Sequence, residues 1–267
     1  MRIARTIGDV RAALEGAEDV GLVPTMGALH DGHLALFAAA QAECTSVVAS
    51  IFVNPAQFGP AEDLATYPRD DERDLRFAEA AGVDLAFVPT TEEIYPDGFQ
   101  TWVDVEGVGK ELEGAARPGH FRGVATVCLK LINIVRPRRA YFGQKDAQQA
   151  AVVKQAVRDL NVDVAIRVVP TVRDPDGLAL SSRNSYLTDE ERAVALALPR
   201  ALFAGADAHR RGEDPVAAAR ATLSSEPRLI PEYVELASFN GSIYLLGAAR
   251  VGRTRLIDNV VLEGALE

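Results

Sequence analysis

Val20-Gly21-Leu22-Val23-Pro24-Thr25-Met26-Gly27-Ala28-Leu29-His30-Asp31-Gly32-His33 decides how the rest of the chain is read. An apolar run, a turn and two histidines opening an Ala-rich helical stretch give the order strand, turn, helix. A helix N-terminus presents unpaired backbone N–H groups and partial positive charge, and so favours anions. Gly27 and Gly32 remove side chains that would hold a phosphate off the backbone, while His30 and His33 add imidazole donors. The segment is expected to hold nucleotide phosphates. A zinc site is the weaker reading, because zinc takes three or four ligands. The remaining histidines, His120 and His209, lie far along the chain, and Cys44 and Cys128 sit in apolar runs as small buried hydrophobes.

A second polar element lies at Leu180-Ser181-Ser182-Arg183-Asn184, after the turn signal Asp174-Pro175-Asp176-Gly177. Two hydroxyls and a guanidinium on a loop suit phosphate oxygens; read alone, the segment is by default an ordinary polar loop with a solvated arginine. Thr188 with Glu191 has capping-box spacing and marks the next helix start.

Composition sets the bounds. At 267 residues the chain can bury a substantial core in one large domain or two. A net charge of −10, from 28 basic and 38 acidic residues, argues against a nucleic-acid surface. No run of about 18 apolar residues spans a bilayer, and the N-terminal Met1-Arg2-Ile3-Ala4-Arg5-Thr6 lacks a secretory core. Two cysteines form no disulfide framework, which points to a reducing cytoplasm.

Short apolar strands alternate with helical patterns. Val47–Val53, Asp84–Val88, Ala140–Phe142 and Val164–Val169 read as strands. Asp70–Ala81, with Leu75, Phe77 and Ala78 inward, Val124–Val135 and Ala147–Leu160 read as helices. This βαβα order predicts an α/β fold, a doubly wound parallel sheet of Rossmann type over residues 1–172. Ligands of such sheets lie beyond the C-terminal strand ends. The histidine turn, Asn54-Pro55-Ala56-Gln57 and Gly143-Gln144-Lys145-Asp146 all follow strands there. From 173 to 267, helices starting at Thr188 and Asp214 and strands at Tyr233–Ala237 and Thr254–Ile257 predict a smaller α+β lid domain.

These blocks also carry a family resemblance. With Ser50–Phe58, Tyr67-Pro68-Arg69, Arg117-Pro118-Gly119-His120-Phe121-Arg122-Gly123-Val124, Phe142–Asp146, Gln148-Gln149, Leu180–Asn184 and Arg255–Asn259, the chain resembles the nucleotidyltransferases with a His-x-Gly-His signature. Within them it resembles the pantoate–β-alanine ligase family almost end to end. The resemblance implies an AMP-forming ligase that activates pantoate with ATP and passes it to β-alanine, in a cytoplasmic homodimer.

It further implies catalytic roles for His33, His30, Lys145, Ser181, Ser182 and Arg183. ATP contacts are implied at Pro24, Thr25, Met26, Gly27, Ala28, Leu29, Asp31 and Gly32 beside the two histidines, at Gly143, Gln144 and Asp146 beside Lys145, and at Val172 and Leu180 beside Ser181–Arg183. Gln57, Gln149 and Met26 are assigned to pantoate, Gln57 also to β-alanine, and Asp74 to Mg²⁺. By residue type, an amide supplies the donors and acceptors a hydroxy acid needs without a competing charge. Arg117 reads either as a phosphate contact or as a surface ion pair. One departure stands out: the family's usual Phe-Gly-Glu-Lys-Asp reads Phe142-Gly143-Gln144-Lys145-Asp146, so Lys145 is expected to have no carboxylate beside it at 144. The alternatives are a nucleotidyltransferase that makes no amide and a non-catalytic nucleotide-binding subunit. A class I aminoacyl-tRNA synthetase would need a longer chain with a basic anticodon-binding extension.

Overall fold

The computed structural model describes residues 1–60 and 62–265. Two compact units divide the chain: Met1–Phe142 with Gln148–Val169, and Gly143–Ala147 with the chain from Pro170 onward. The first unit runs β1 (Arg2–Ala4), α1 (Ile7–Ala13), β2 (Val20–Thr25), α2 (Asp31–Glu43), β3 (Ser46–Ile51), α3 (Asp71–Ala80) and β4 (Leu85–Phe87). It continues through α4 (Thr91–Ile94), α5 (Glu113–Ala116), α6 (His120–Val135), β5 (Arg139–Gly143), α7 (Ala147–Asp159) and β6 (Ala165–Val169).

Its six strands form one parallel sheet in the order β1-β4-β3-β2-β5-β6. From β2 the chain steps to β3 on one side and later to β5 on the other, so β2 and β5 flank the switch point where such sheets bind ligands. Strand side chains alternate between faces. Val20, Leu22 and Val48 enter one apolar layer, under Val10 of α1, Val124 and Ile132 of α6, and Val152 of α7. Val23, Val47 and Ala49 enter the other, with Leu36, Phe37 and Ala40 of α2 and Ala78 of α3. Both faces are covered, which is why the strands read as unbroken apolar runs. Each fully buried Leu or Phe contributes roughly 1.5–3 kcal/mol. Leu75 and Phe77 pack half-buried against the second layer, as expected for α3. Cys128 is buried as expected, but Cys44 is not. It ends α2 partly exposed, with Sγ 3.3 Å from the Tyr141 hydroxyl.

The second unit holds α8 (Asp189–Ala195), α9 (Ala197–Arg210), α10 (Pro215–Leu223), β7 (Ile230–Phe239), β8 (Ser242–Val251) and β9 (Thr254–Glu263). Its antiparallel sheet runs β7-β8-β9. Val234, Leu245, Ala249 and Leu256 pack against Leu198, Leu202, Ala219 and Leu223 from the helices. Thr188 caps α8 in the expected box with Glu191.

Candidate active site

The histidine turn leaves β2 at its C-terminal end and opens α2 with His30 as N-cap. The Gly32 N–H donates to His30 Nδ1 at 3.1 Å, and the His30 N–H donates to His33 Nδ1 at 3.2 Å. A ring nitrogen that accepts carries no proton, so each neutral imidazole bears its hydrogen on Nε2. The rings lie 4.2 Å apart between centroids and are tilted by 51°. Two N–H donors thus come from one rigid turn.

The rest of the turn corrects an expectation. Its backbone N–H groups, expected to face phosphate, are largely occupied within the protein. Gly27 donates to Thr25 Oγ1 at 3.2 Å and His33 to the His30 carbonyl at 2.7 Å. Ala28 and Leu29 donate to Asp74 Oδ2 and Oδ1 at 2.7 and 2.8 Å. Leu29 itself is fully buried in the core, so its side chain is no ligand contact.

Asp74 likewise departs from its assignment to Mg²⁺. It lies in the first turn of α3, 1% exposed, with both oxygens taken by backbone N–H donors. Buried and already bonded to a backbone N–H on each oxygen, the carboxylate is turned toward the protein rather than toward an open cation site. It anchors the turn instead. Arg73 adds a 3.1 Å bond to the Leu29 carbonyl. Gly27, at φ +78°, sits so near that a Cβ would lie 2.7 Å from Asp74 Oδ2. Among the described residues, no group of three or more His, Cys, Asp or Glu side chains is arranged to hold a metal.

After β3, Pro55–Gln57 forms a 3₁₀ turn capped by Asn54. Gln57 is 7% exposed, and its Nε2 lies 3.0 Å from Met26 Sδ, so the structure brings together two of the residues assigned to pantoate. Helix α6 seats the turn through Gly123, where a Cβ would stand 2.3 Å from the Ala56 carbonyl oxygen. His120 holds the Gln57 main chain: its Nδ1 lies 2.9 Å from the Gln57 carbonyl and its Nε2 3.0 Å from Arg117 Nη1. A carbonyl only accepts and a guanidinium only donates, so His120 is neutral with its hydrogen on Nδ1. Burial first, and the Arg117 charge second, push its pKa down to about 4. Arg117 in turn grips Glu62 with two bonds, of 3.0 and 2.5 Å. Of its two readings, the ion pair is the one realised. Burial would raise the Glu62 carboxyl, but Arg117 outweighs it and holds the group below its ordinary value.

The adjacent glutamines of α7 divide sharply. Gln148 is buried and spends its amide on Glu113 N–H and on the Val108 and Glu111 carbonyls. Gln149 is half-buried, and its amide makes no hydrogen bond among the described residues, so it is open to a ligand.

In the second unit, Gly143 leads into a 3₁₀ turn over Gln144–Asp146. Lys145 is mostly covered, 3.6 Å from the Asp146 carboxylate. Position 144 offers no carboxylate, as expected, but Asp146 does place one beside the ammonium. Gln144 is buried, with Nε2 3.2 Å from Asn259 Oδ1, and its side chain cannot reach a nucleotide without breaking that bond. Val172 and Leu180 pair through a 3.0 Å backbone bond across the Asp174–Gly177 turn, which Arg192 fastens at Asp174 and Asp176. Ser181 then caps a 3₁₀ turn over Ser182–Tyr186, so Ser181, Ser182 and Arg183 lie on an ordered, half-buried turn. Sequence reading placed Asn54 in a turn expected at the ligand edge, but it did not single out Tyr95 or His120. The Tyr95–Asn54 contact spans 41 residues and leaves no local signal.

A doubly wound sheet with paired imidazole donors at its switch point and buried amides at the neighbouring strand end is the frame of a nucleotide-using α/β enzyme. The chain belongs to the pantoate–β-alanine ligase family, whose model matches residues 2–261. A pantothenate synthetase of Chloroflexus aggregans is 55% identical over 277 residues, covering 98% of this chain and 100% of its own length. One from Moorella thermoacetica is 53% identical over 280 residues, covering 98% and 99%. The solved pantothenate synthetase of Thermus thermophilus superposes with a TM-score of 0.95 at 47% identity, over 99% of this chain and 100% of that one. A pantoate–β-alanine ligase of Francisella tularensis, solved with β-γ ATP and β-alanine, superposes with a TM-score of 0.84 at 36% identity, over the whole of both chains.

Proposed function

We propose that the chain makes pantothenate from pantoate, β-alanine and ATP in two steps. A pantoate carboxylate oxygen attacks the α-phosphorus, the bond to the β-phosphate breaks, and pyrophosphate leaves. The β-alanine amine then attacks the acyl carbon of pantoyl adenylate, loses a proton to become the amide, and AMP leaves. A free carboxylate is a poor acyl donor, because oxide is a far worse leaving group than AMP.

The paired Nε2–H donors of His30 and His33 carry this reading, supported by family membership along almost the whole chain. Donors fixed before the reaction stabilise charge that moves between phosphate oxygens. Lys145, Ser181, Ser182 and Arg183 are assigned the same chemistry. Gln57, Gln149 and Met26 receive pantoate, and Gln57 also meets β-alanine. Mg²⁺ enters on the triphosphate as part of the substrate. The homodimer and the cytoplasmic setting are carried over from the resemblance; among the described residues no helix is long and apolar enough to cross a membrane.

The test is ATP–pyrophosphate exchange. Pantoate alone should support exchange of labelled pyrophosphate into ATP, with AMP and pantothenate accumulating only once β-alanine is added. Exchange that strictly requires β-alanine, or that runs on a phosphomonoester instead of pantoate, rejects the two-step order.

A further inference from the structure

The amide of Gln57 has a polarity that backbone groups dictate. Asn54 Oδ1 lies 3.3 Å from the Ala56 N–H, which can only donate. Asn54 Nδ2 lies 3.2 Å from the Gly123 carbonyl, which can only accept. Asn54 therefore has one orientation, whatever an amide's ordinary ambiguity. The Tyr95 hydroxyl, 2.9 Å from that Oδ1, must be a donor. The Gln57 atom 3.1 Å from Nδ2 must be its oxygen. Gln57 Nε2 is then the end that faces Met26 Sδ at 3.0 Å, and a thioether is a weak acceptor, easily outcompeted.

We propose that Tyr95 is a positioning residue that, through Asn54, locks Gln57 as a hydrogen-bond donor, so that this pocket selects an acceptor-bearing group of the acid substrate, its carboxylate above all. The inference rests on the assignment of Gln57 to pantoate. Turning the amide over would set Nε2 against Asn54 Nδ2, two donors face to face in a buried site where Asn54 is 1% exposed. The Gln57 main chain cannot swing to relieve this, since His120 holds its carbonyl and Gly123 leaves no gap beneath the turn. Tyr95 is itself fixed by its ring. It stacks on Trp102 at 5.9 Å, meets Phe99 edge-on at 5.1 Å, and lies under the Lys130 ammonium. Burial pushes its phenol well above the ordinary value, so the hydroxyl keeps the proton it donates.

Tyr95→Phe removes the donor and keeps the ring, and Gln57→Ala and Gln57→Glu complete the set. One lost hydrogen bond should raise the pantoate KM of Tyr95→Phe about five-fold, with the ATP KM and the melting temperature nearly unchanged. Introduced into Gln57→Ala, the same change should add nothing further, because Tyr95 acts only through that amide. Gln57→Glu should bind pantoate more weakly than Gln57→Ala, since the second oxygen would set an acceptor against the carboxylate. A Gln57→Glu variant as good as wild type, or a Tyr95→Phe effect that persists undiminished in Gln57→Ala, overturns the proposal. So does a normal pantoate KM in Tyr95→Phe when Gln57→Ala raises it. A pantoate KM unchanged in Gln57→Ala overturns the underlying assignment of Gln57 instead.

Discussion

Gln144 donates its amide N–H to Asn259 Oδ1 at 3.2 Å, 115 residues along the chain. Asn259 has no freedom to reverse this, because its Nδ2 serves the Gln144 and Lys145 carbonyls at 2.8 and 3.0 Å. The Gln144 amide oxygen, Oε1, accepts from the Thr171 N–H at 3.4 Å. Gln144→Glu would set a carboxylate oxygen against the Asn259 oxygen in a buried site. We expect a loss of roughly 1–3 kcal/mol at neutral pH, largely recovered at a pH that protonates the carboxyl. Denaturant unfolding at two pH values checks it, and equal stability at neutral pH contradicts it.

His33→Ala and Lys145→Ala separate catalysis from architecture. A donor aimed at developing phosphate charge is worth about 2.7–4 kcal/mol of barrier, a rate loss of roughly 100- to 1000-fold. His33 also accepts the His30 N–H, a capping bond worth about 1 kcal/mol. Lys145 has no such duty, so Lys145→Ala should fold normally. Single-turnover adenylation beside unfolding curves decides; normal adenylation in both variants removes these residues from the chemistry.

Asp74→Ala should loosen the histidine turn. It strips two charge-assisted bonds from Ala28 and Leu29, each worth roughly 1.5–3 kcal/mol. We expect lower stability and weaker ATP binding, with an unchanged Mg²⁺ dependence once ATP saturates. A shift in the Mg²⁺ requirement alone, at full stability, would restore Asp74 as a metal ligand.

Acid should weaken the protein through His120. Its folded pKa, about 4, lies below the ordinary 6.5, so the unfolded chain takes up the proton first as pH falls. Stability from this group is complete above 6.5 and declines toward pH 4, by at most about 3 kcal/mol. The charge it resists is that of Arg117, while Glu62 and Glu113 pull the other way. Glu62, held low by Arg117, adds a further loss below its ordinary value. His120→Gln should flatten the upper part of this profile in urea midpoints taken from pH 7 to 4; an unchanged profile assigns the acid sensitivity elsewhere.

Much of the fold was legible in the sequence because both sheet faces are buried and each strand is an apolar run. The misses have local reasons. β1 has three residues and gains its place only by pairing with β4. α9 contains Pro199 and Gly205, both helix breakers on paper. Yet Pro199 falls in the first turn, where its N–H has no helical partner. A Cβ at Gly205 would meet Leu245 Cδ2 at 2.4 Å, so close packing requires the glycine. At the candidate site, motifs point to strand ends but not to which atoms are already bonded. Asp74 reads as a metal ligand until Ala28 and Leu29, 46 and 45 residues away, are seen to occupy it. Such assignments depend on partners distant in sequence, and no spacing encodes them.

The largely occupied backbone of the histidine turn has a kinetic side. Amide protons at Ala28 and Leu29, sealed by Asp74, can exchange with solvent only when α3 parts from the turn. Their exchange therefore reports opening of this contact rather than occupancy of the site, and should be slow in the empty enzyme as well as the loaded one. A nucleotide arriving there meets a surface whose ordering entropy was spent during folding. The turn behaves as a template cast once, with its two imidazole edges set in place before any ligand arrives.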